Sequence, residues 1–446
     1  MFLLWGCTSD LHNATMAKTF RPYEPDQLLL LPPSLADWVP EGHLARFVSD
    51  VVDTLDLQAI EEEYSEERGY PPYHPRMMVT VLLYAYCTGL YSSRKMARQL
   101  EDSVAFRFLA AGNAPDFRTL SDFRKRHGAA LAGLFEQVLR LCRKAGLVKL
   151  GRVAIDGTKV KANASKHKAM SYGRMVEKEA ALRHEVAELL RRAEAADRDE
   201  DQRYGPDRRG DELPAELARR ESRLRKIAEA KAALEAEARE RARAEGKEPA
   251  QAHPKPKAQQ NFTDPESKIQ KTSDGFIQGY NAQVAVDAHA QVIVAQHVTA
   301  AATDVTELPT VVAAITRGGR RKPRAVLADA GYFSEPNVEW LEKKDIAAYI
   351  ATARHKHSEP LAPVLRGRPP KGLTVRQRMA RKLRTVGGRA VYACRKKIVE
   401  PVFGQIKHAR GFRQFLRRGR QRVGEEWALI CTAHNLLKLF AARAAP

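Results

Sequence analysis

The chain has 446 residues, a length that allows two or three folded domains. Apolar residues make up 44% of it, including 7% aromatic residues, which is too many for a wholly disordered protein. Its 75 Lys and Arg outnumber 54 Asp and Glu, and the net charge of +21 predicts a polyanionic partner, because counterion release drives basic proteins onto phosphate backbones. No apolar run approaches the roughly 20 residues of a membrane helix, and the five cysteines lack metal-ligand spacing. These features argue against a membrane span, a zinc site and a disulfide framework, and favour a cytoplasmic protein. Charge alone would also fit ribosomal RNA or anionic membranes as the partner.

The first third of the chain is predicted to be helical. Residues 1–15 are expected to be a non-structural N-terminal extension, and residues 16–149 an all-helical domain. Within it, apolar periodicity predicts a buried helix over 74–90 and one long amphipathic helix over 119–147. Short helices, tight turns and a basic cluster allow a helix-turn-helix-like DNA reader whose contacts would be Arg124, Lys125 and Arg126. A plain helical bundle with solvated charges fits these residues equally well.

A charged, alanine-rich segment at about 172–258 interrupts the second part of the chain. Apolar side chains recur in it at helical spacing, at Leu182, Val186 and Leu189 before a polar break and at Leu224, Ile227 and Leu234 after it. This pattern predicts an antiparallel helical hairpin with charges outside. A surface insertion without chemistry is the simpler interpretation, and contact with DNA or a second protomer is the alternative.

The remaining residues of 150–446 alternate between strand and helix signals. In order they predict a strand with Asp156, a hairpin of two strands (279–287 and 291–299), a helix, a strand with Asp329, a helix, a strand, and a helix with Glu400. This order is that of an α/β, ribonuclease-H-like core, in which the first and fourth strands lie side by side at the sheet centre. Asp156 and Asp329 are therefore expected to be neighbours, with Glu400 on a helix packed across the same edge.

Three converging carboxylates suit a particular chemistry. Phosphodiester cleavage and strand transfer use two metal ions, one activating the attacking oxygen and one stabilising the leaving oxygen. Hard Mg²⁺, or Mn²⁺, prefers oxygen ligands and needs few of them beside substrate phosphates. Asp156, Asp329 and Glu400 are the predicted catalytic metal ligands, because both aspartates end apolar runs beside glycine-containing turns. Second choices in the same region are Asp287, Asp304 and Glu307.

Glu400 stands in a strongly basic segment. Between Arg366 and Arg422 there are 19 Lys and Arg, and Glu400 is the one acidic residue. A lone carboxylate in such a field is either a salt-bridge anchor or a metal ligand beside a phosphate-binding surface, and the two aspartates favour the second. Lys407, two helical turns further on, is expected to hold a phosphate near the metals. Further cations expected to contact the DNA backbone are Arg395, Lys396, Lys397, Arg410, Arg413, Arg417 and Arg418.

A resemblance to the DDE transposases of bacterial insertion sequences is carried by the blocks AIDGTKVKANAS, GYNAQVAVD, LADAGYFS and IVEPVFGQIKHARGFRQFLRRG, and by the closing EEWALICTAHNLLKL. The helical run RTLSDFRKRHGAALAGLFEQV is also similar, so the resemblance covers nearly the whole chain. It implies Asp156, Asp329 and Glu400 as the metal-binding triad, with hydrolysis and transesterification at the element's terminal inverted repeats. Many relatives have three residues between an Arg and the Glu; here four residues stand between Arg395 and Glu400 and three between Lys396 and Glu400, which leaves open which cation fills that role.

The resemblance further implies double-stranded DNA partners, namely the element ends and target DNA, a homodimer in the synaptic complex, and a nucleoid-associated location. Two other functions fit the same residues. One is a metal-dependent nuclease of the same fold that cuts without joining strands, and the other is a catalytically inactive DNA-binding repressor.

Overall fold

A computed structural model describes residues 34–64, 71–204, 215–272, 275–317, 321–353 and 363–443. The fold is mixed α/β, with helices before, within and after one central sheet. Its helices are α1 (Leu44–Asp53), α2 (Gln58–Glu61), α3 (Pro75–Cys87), α4 (Ser93–Asp102), α5 (Val104–Leu109), α6 (Phe117–Arg126), α7 (Gly128–Lys144), α8 (Tyr172–Tyr204), α9 (Ala215–Ala244), α10 (Glu307–Thr316), α11 (Glu335–Lys343), α12 (Val375–Arg384), α13 (Val386–Gly404) and α14 (Arg420–Arg443). Its strands are β1 (Arg152–Lys161), β2 (Ala169–Ser171), β3 (Gln259–Asn261), β4 (Lys268–Thr272), β5 (Gly275–Asp287), β6 (Ile293–Thr299), β7 (Ala325–Ala328) and β8 (Ala347–Ile350).

The central sheet has β1 in its middle. β1 pairs with β5 on one side in antiparallel register and with β7 on the other in parallel register, and β8 follows β7 in parallel. The long β5 carries both β4 and β6 on its far side, one after the other along its length. The predicted neighbours, the first Asp-bearing strand and the second, are thus adjacent, although more than 160 residues separate them in the chain.

The last helix is the centre of the hydrophobic core. α14 is buried almost without interruption from Trp427 to Leu436 and packs against α3 and α7 on one side and β6 on the other. The apolar core is therefore continuous from the N-terminal helices into the sheet. Because α14 lies between the N-terminal helices and the sheet, its two sides remove apolar surface of both from water.

The N-terminal helices follow the sequence pattern with one correction. The buried helix predicted over 74–90 is α3, whose first residue Pro75 occupies a position that suits proline. The single helix predicted over 119–147 is wrong, because the chain forms α6 and α7 with a break at His127. The buried His127 side chain lies between Tyr64 and Phe123, and its backbone leaves helical geometry to place it there.

The charged segment forms two helices, α8 and α9, as its periodicity predicts. Glu179 on α8 pairs with Lys231 on α9, and Glu185 pairs with Arg220, so the helices run antiparallel. A small apolar cluster separate from the main core joins them, formed by Met175, Leu182, Ile227, Ala230 and Leu234. Strands β2 and β3 pair at the base of this hairpin.

The N-terminal extension expected at 1–15 lies outside the described residues. Within the described ranges, no helix combines the length and the apolar character that crossing a bilayer requires.

The buried His434 makes stability depend on pH. Its Nε2 lies 3.0 Å from the carbonyl of Gln291, and burial, with Arg410 adding to it, lowers the pKa of His434 to about 3 from 6.5. Between these values only the unfolded chain takes up the proton, so the free energy of unfolding falls as pH falls, by up to about 1.4 kcal/mol per pH unit. We expect His434→Gln, which keeps a donor but cannot titrate, to lose less stability than the wild type between about pH 6.5 and pH 4.5 in urea unfolding. Equal losses in the two proteins would contradict this assignment.

Candidate active site

Two aspartates lie side by side where the parallel β1–β7 ladder ends. The last paired residues are Ile155 and Ala328, and the next residue of each strand is Asp156 and Asp329. Neighbouring strands are about 4.8 Å apart, and Asp329 is close enough to Asp156 to raise its pKa. The structure therefore brings together two of the three carboxylates predicted from the sequence.

Asp156 is held by a cation from α13. Its Oδ2 accepts a hydrogen bond from the Arg395 guanidinium at 3.0 Å, and its Oδ1 accepts one from the backbone N–H of Gly157 at 2.9 Å. Burial raises the pKa of Asp156 to about 6, Arg395 opposes this, and Asp329 adds to it. The carboxyl is thus partly desolvated but remains paired, with its guanidinium partner also largely covered.

Of the two cations that the sequence offers before Glu400, Arg395 is the one that pairs with Asp156. Its guanidinium faces the aspartates, whereas the neighbouring Lys396 is exposed on another face of α13. Tyr392, one turn before Arg395, lies beside the same group, and burial raises the pKa of its hydroxyl. Tyr392 and Arg395 therefore line the site, and the three-residue spacing of Lys396 does not bring that side chain there.

Glu400 is on the same helix but is not part of the aspartate cluster. It is exposed, and at five residues beyond Arg395 an ideal helix turns its side chain about 140° away. Among the described residues, no three acidic, histidine or cysteine side chains stand close enough to hold one metal ion. Glu400 thus lies on the helix that carries Arg395, and in this structure its carboxylate does not join the two aspartates in a group of three.

The helix is irregular just where Glu400 lies. Pro401 has no N–H to donate to the carbonyl of Lys397, and that carbonyl accepts a hydrogen bond from the Gln291 side chain at 2.9 Å. Gln291 is itself held by Lys438 of α14 through its Oε1. A π-helical turn, Gln405–Ala409, follows α13. Such turns occur frequently at functional sites.

A third carboxylate, Asp304, lies beside Asp329. Its Oδ1 accepts hydrogen bonds from Asn281 at 2.6 Å and Gln283 at 2.8 Å, and Lys159 lies 3.5 Å away. A Cβ on Gly331 would be 3.0 Å from Asp329 Oδ1 and 3.3 Å from Asp304 Oδ2. The two carboxylates thus share the space that this glycine leaves open.

The other two second choices serve the fold. The buried Asp287 accepts hydrogen bonds from the backbone N–H groups of Leu150 and His289 at the hairpin turn. Glu307 lies 3.4 Å from His297 and is almost fully buried. Neither side chain borders the aspartate pair.

The cations expected to bind DNA differ widely in exposure. Lys407 is half-buried and donates to the carbonyl of Lys159 at 2.8 Å, and burial lowers its pKa. Arg417 is largely covered and pairs with Glu425. The exposed members of the set are Lys396, Lys397, Arg413, Arg418, Lys125 and Arg126.

Two of these expected DNA contacts have structural roles instead. Arg410 is buried, and its guanidinium donates to the carbonyls of Gln405 and Ile430, so the expectation that it follows a DNA backbone is wrong for this structure. The Arg124 guanidinium is held by Tyr91, Ser93 and Tyr86, which ties α6 to the neighbouring helices. Burial of a charge among protein acceptors removes it from any external phosphate.

The polar residues around Asp304 were not predicted from the sequence. Asn281 and Gln283 occupy alternate positions of the buried strand β5, opposite Lys159 and Gly157 of β1. Cross-strand partners share one face of a sheet. Two amides two residues apart in an otherwise apolar strand are the signal for such a network, because buried polar groups need partners.

Comparison with known families finds two matches. Residues 33–126 match the family described as Transposase domain (DUF772), and residues 249–436 match the Transposase DDE domain. Together the two matches cover more than half of the chain, including Asp304, Asp329, Arg395 and Glu400. Neither the curated proteins nor the solved structures compared with the chain gave a match.

Gly157 leaves room for the hydrogen-bonded network of Asp304, Asn281 and Gln283. A Cβ there would be 2.3 Å from Gln283 Nε2, 2.7 Å from Asn281 Oδ1 and 3.0 Å from Asp304 Oδ1. We expect Gly157→Ala to lower the free energy of unfolding by about 1–3 kcal/mol, measured by urea unfolding, because these side chains must move. Gly133→Ala is the control, since that exposed helical position has no neighbour within 4 Å. An equally small effect of both substitutions would contradict the prediction.

Proposed function

The chain belongs to the DDE transposases of insertion sequences, and we propose that it cuts DNA at the terminal inverted repeats of its element and joins the ends to target DNA. DDE transposases act on DNA and generally use divalent metal ions. For this chain we propose Mg²⁺, or Mn²⁺, held by Asp156, Asp329 and Glu400.

The observation that carries this proposal is the pair Asp156 and Asp329 at the end of the β1–β7 ladder. The donors there are carboxylate oxygens, which suit a hard divalent cation, and Mg²⁺ needs only one or two of them beside substrate phosphates and water. The residues present therefore fit such an ion. When bound, the ions supply activation of the attacking oxygen and neutralisation of the leaving oxygen.

We also propose that the sheet is a ribonuclease-H-like core within a catalytic domain at 150–446, interrupted by the helical insertion at about 172–258. The support is the arrangement of the first and fourth core strands, β1 and β7, side by side at the sheet centre. The helices of 16–149 are the proposed DNA-binding domain, with Lys125 and Arg126 as exposed cations.

Glu400 completes the ligand set in this proposal when DNA is bound. It lies on α13 five residues after Arg395; Pro401 removes one hydrogen bond of the helix directly after it, and a π-helical turn begins at Gln405. Rotation of this part of α13 would direct the carboxylate toward Asp329. Arg395, which pairs with Asp156, is the cation next to the reacting phosphate.

The exposed cations after α13 hold the DNA backbone in the proposed complex, while Lys407 supports the strand from which Lys159 reaches Asp304. Two copies of the chain assemble on a pair of element ends. Phosphate contacts of this kind set position and register, and sequence recognition needs contacts with base edges.

We expect Asp156→Asn, Asp329→Asn and Glu400→Gln each to lower the rates of DNA cleavage and strand transfer at least about 100-fold without weakening DNA binding. Removing the hydrogen-bond partner of a metal ligand already lowers metal affinity or activity by about 10- to 100-fold, and removing the ligand itself should lower activity at least as much. Cleavage of labelled inverted-repeat DNA measures this. Glu339→Gln, an exposed substitution on α11, is the matched control. Unchanged strand transfer by Glu400→Gln at saturating Mg²⁺ would show that Glu400 is not a ligand.

An assay that supplies pre-cleaved element ends and a plasmid target distinguishes a transposase from a nuclease of the same fold. A transposase joins the ends, and we expect joined product that depends on Asp329. Cleavage without joined product would support the nuclease, and DNA binding without either reaction would support the inactive repressor.

The exposed lysines of α13 are expected to contribute to salt-dependent binding. Replacing both Lys396 and Lys397 by Ala should reduce the slope of log affinity against log salt concentration by about 1–2, since each phosphate contact contributes about 0.9. Lys322→Ala is the control, because Lys322 pairs with Asp345 and precedes β7, at the opposite end of that strand from Asp329. Equal slopes for the double variant and the wild type, from fluorescence anisotropy, would remove these lysines from the DNA interface.

A further inference from the structure

We propose that Asp304 is an additional ligand of the divalent metal ions, and that Asp304 Oδ2 and Asp329 form a cation position on the face of the sheet opposite α13. This inference rests on the proposed function, since it adds a residue to the same metal-dependent site. It assigns a ligand that precedes α10 in the chain, more than 90 residues before Glu400.

The two oxygens of Asp304 have different surroundings. Oδ1 receives the donors Asn281, Gln283 and Lys159, which fix the orientation of the carboxylate. Oδ2 accepts no hydrogen bond within the described part of the chain and is directed to the space beside Gly331. Oδ1 therefore holds the side chain in place, while Oδ2 is left without a protein partner among the described residues.

Oδ2 converges with an oxygen of Asp329. Asp329 Oδ1 and Asp304 Oδ2 lie 3.0 Å and 3.3 Å from the position that a Gly331 Cβ would occupy, so both oxygens border the same small space. Asp329 also acts electrostatically on Asp156, whose side chain faces Arg395 on the other side of β1. Asp329 therefore interacts with Asp156 and lies near Asp304, so that it can contribute to two cation positions.

A second observation points to a ligand here. Asn281 is fully buried, and its Oδ1 has no hydrogen-bond partner in the described residues. This oxygen lies 2.7 Å from the Cβ position of Gly157, next to Asp304 Oδ1, which lies 3.0 Å from the same point. This oxygen is closed to solvent in the present geometry, and Mg²⁺, which keeps several of its waters, would supply a water as its donor once binding shifts the side chains around Gly157. An unpaired buried acceptor is otherwise costly.

The charges in the region agree with this assignment. Asp156, Asp329 and Asp304 face two protein cations, Arg395 and Lys159. The Lys159 ammonium is largely covered and is held toward Asp304 from the strand that carries Asp156. One divalent ion beside Asp304 and Asp329 would reverse the negative excess, as the approach of a phosphate requires.

The test is Mn²⁺ binding to the full-length protein, measured by the electron paramagnetic resonance signal of free Mn²⁺. Asp304→Asn keeps an Oδ1 acceptor for Asn281 and Gln283 but loses the charged second oxygen. We expect it to weaken Mn²⁺ binding at least about 10-fold. Glu307→Gln, three residues away and outside the site, should bind Mn²⁺ as the wild type does.

A cysteine at the same position gives a signature that a structural role would not produce. Thiolate ligands prefer softer metal ions, so Asp304→Cys should bind Cd²⁺ more tightly than Asp304→Ser, at least about 10-fold. This comparison also decides the question if Asp304→Asn proves to be unfolded by circular dichroism.

Asp329→Asn separates this inference from the proposed function. Loss of Mn²⁺ binding in Asp329→Asn but not in Asp304→Asn, with no Cd²⁺ preference of the cysteine variant, would overturn the role of Asp304 and leave the proposed site standing. Unchanged Mn²⁺ binding in both asparagine variants would overturn both.

Discussion

The parallel register between β1 and β7 is the constraint on which the site depends. It ends at Ile155 and Ala328, so that two consecutive strand ends carry aspartates on neighbouring backbones. Like charges at this distance repel each other, and the fold offsets them with Arg395 from α13, which pairs with Asp156. Lys159 from β1 pairs with the neighbouring Asp304. A slip of one residue in this ladder would turn Asp156 to the other face of the sheet, away from Arg395.

The region around Glu400 shows how an irregular helix is built into a regular core. Pro401 frees the carbonyl of Lys397, and Gln291 from the β5–β6 turn supplies the missing donor. The same Gln291 backbone and side chain are bound by His434 and Lys438 of α14. Gln291 thus connects this end of α13 to the β5–β6 turn and to α14, and the proposed rotation of α13 would have to shift these contacts.

Much of the fold followed from apolar patterns. The buried runs of α3, β5 and β7, and the adjacency of β1 and β7, agree with the sequence-based predictions. The split of the predicted 119–147 helix at His127 was not predicted, because the buried imidazole packs between two aromatic rings and such a tertiary contact leaves no local signal in the sequence. The site was predictable only where a carboxylate ends a strand. Asp304 lies in a loop, and its proximity to Asp329 depends on amides of β5 and on the small size of Gly331. The five-residue spacing of Arg395 and Glu400 already implies different faces of one helix, but which of these faces meets the aspartates depends on how α13 packs on the sheet.

The central position of α14 has a consequence for how the protein is made. This helix packs against α3, α7 and β6, yet it follows all of them in the chain. During synthesis, the N-terminal helices and the strands are made before α14, so the apolar surfaces that α14 covers stay exposed to solvent until that helix is added. A polypeptide that stops before residue 420 would expose these surfaces permanently, and a cell would treat it as a target for chaperones and proteases. An incomplete copy of the gene would therefore be expected to yield a short-lived product instead of a stable inhibitor of the intact enzyme.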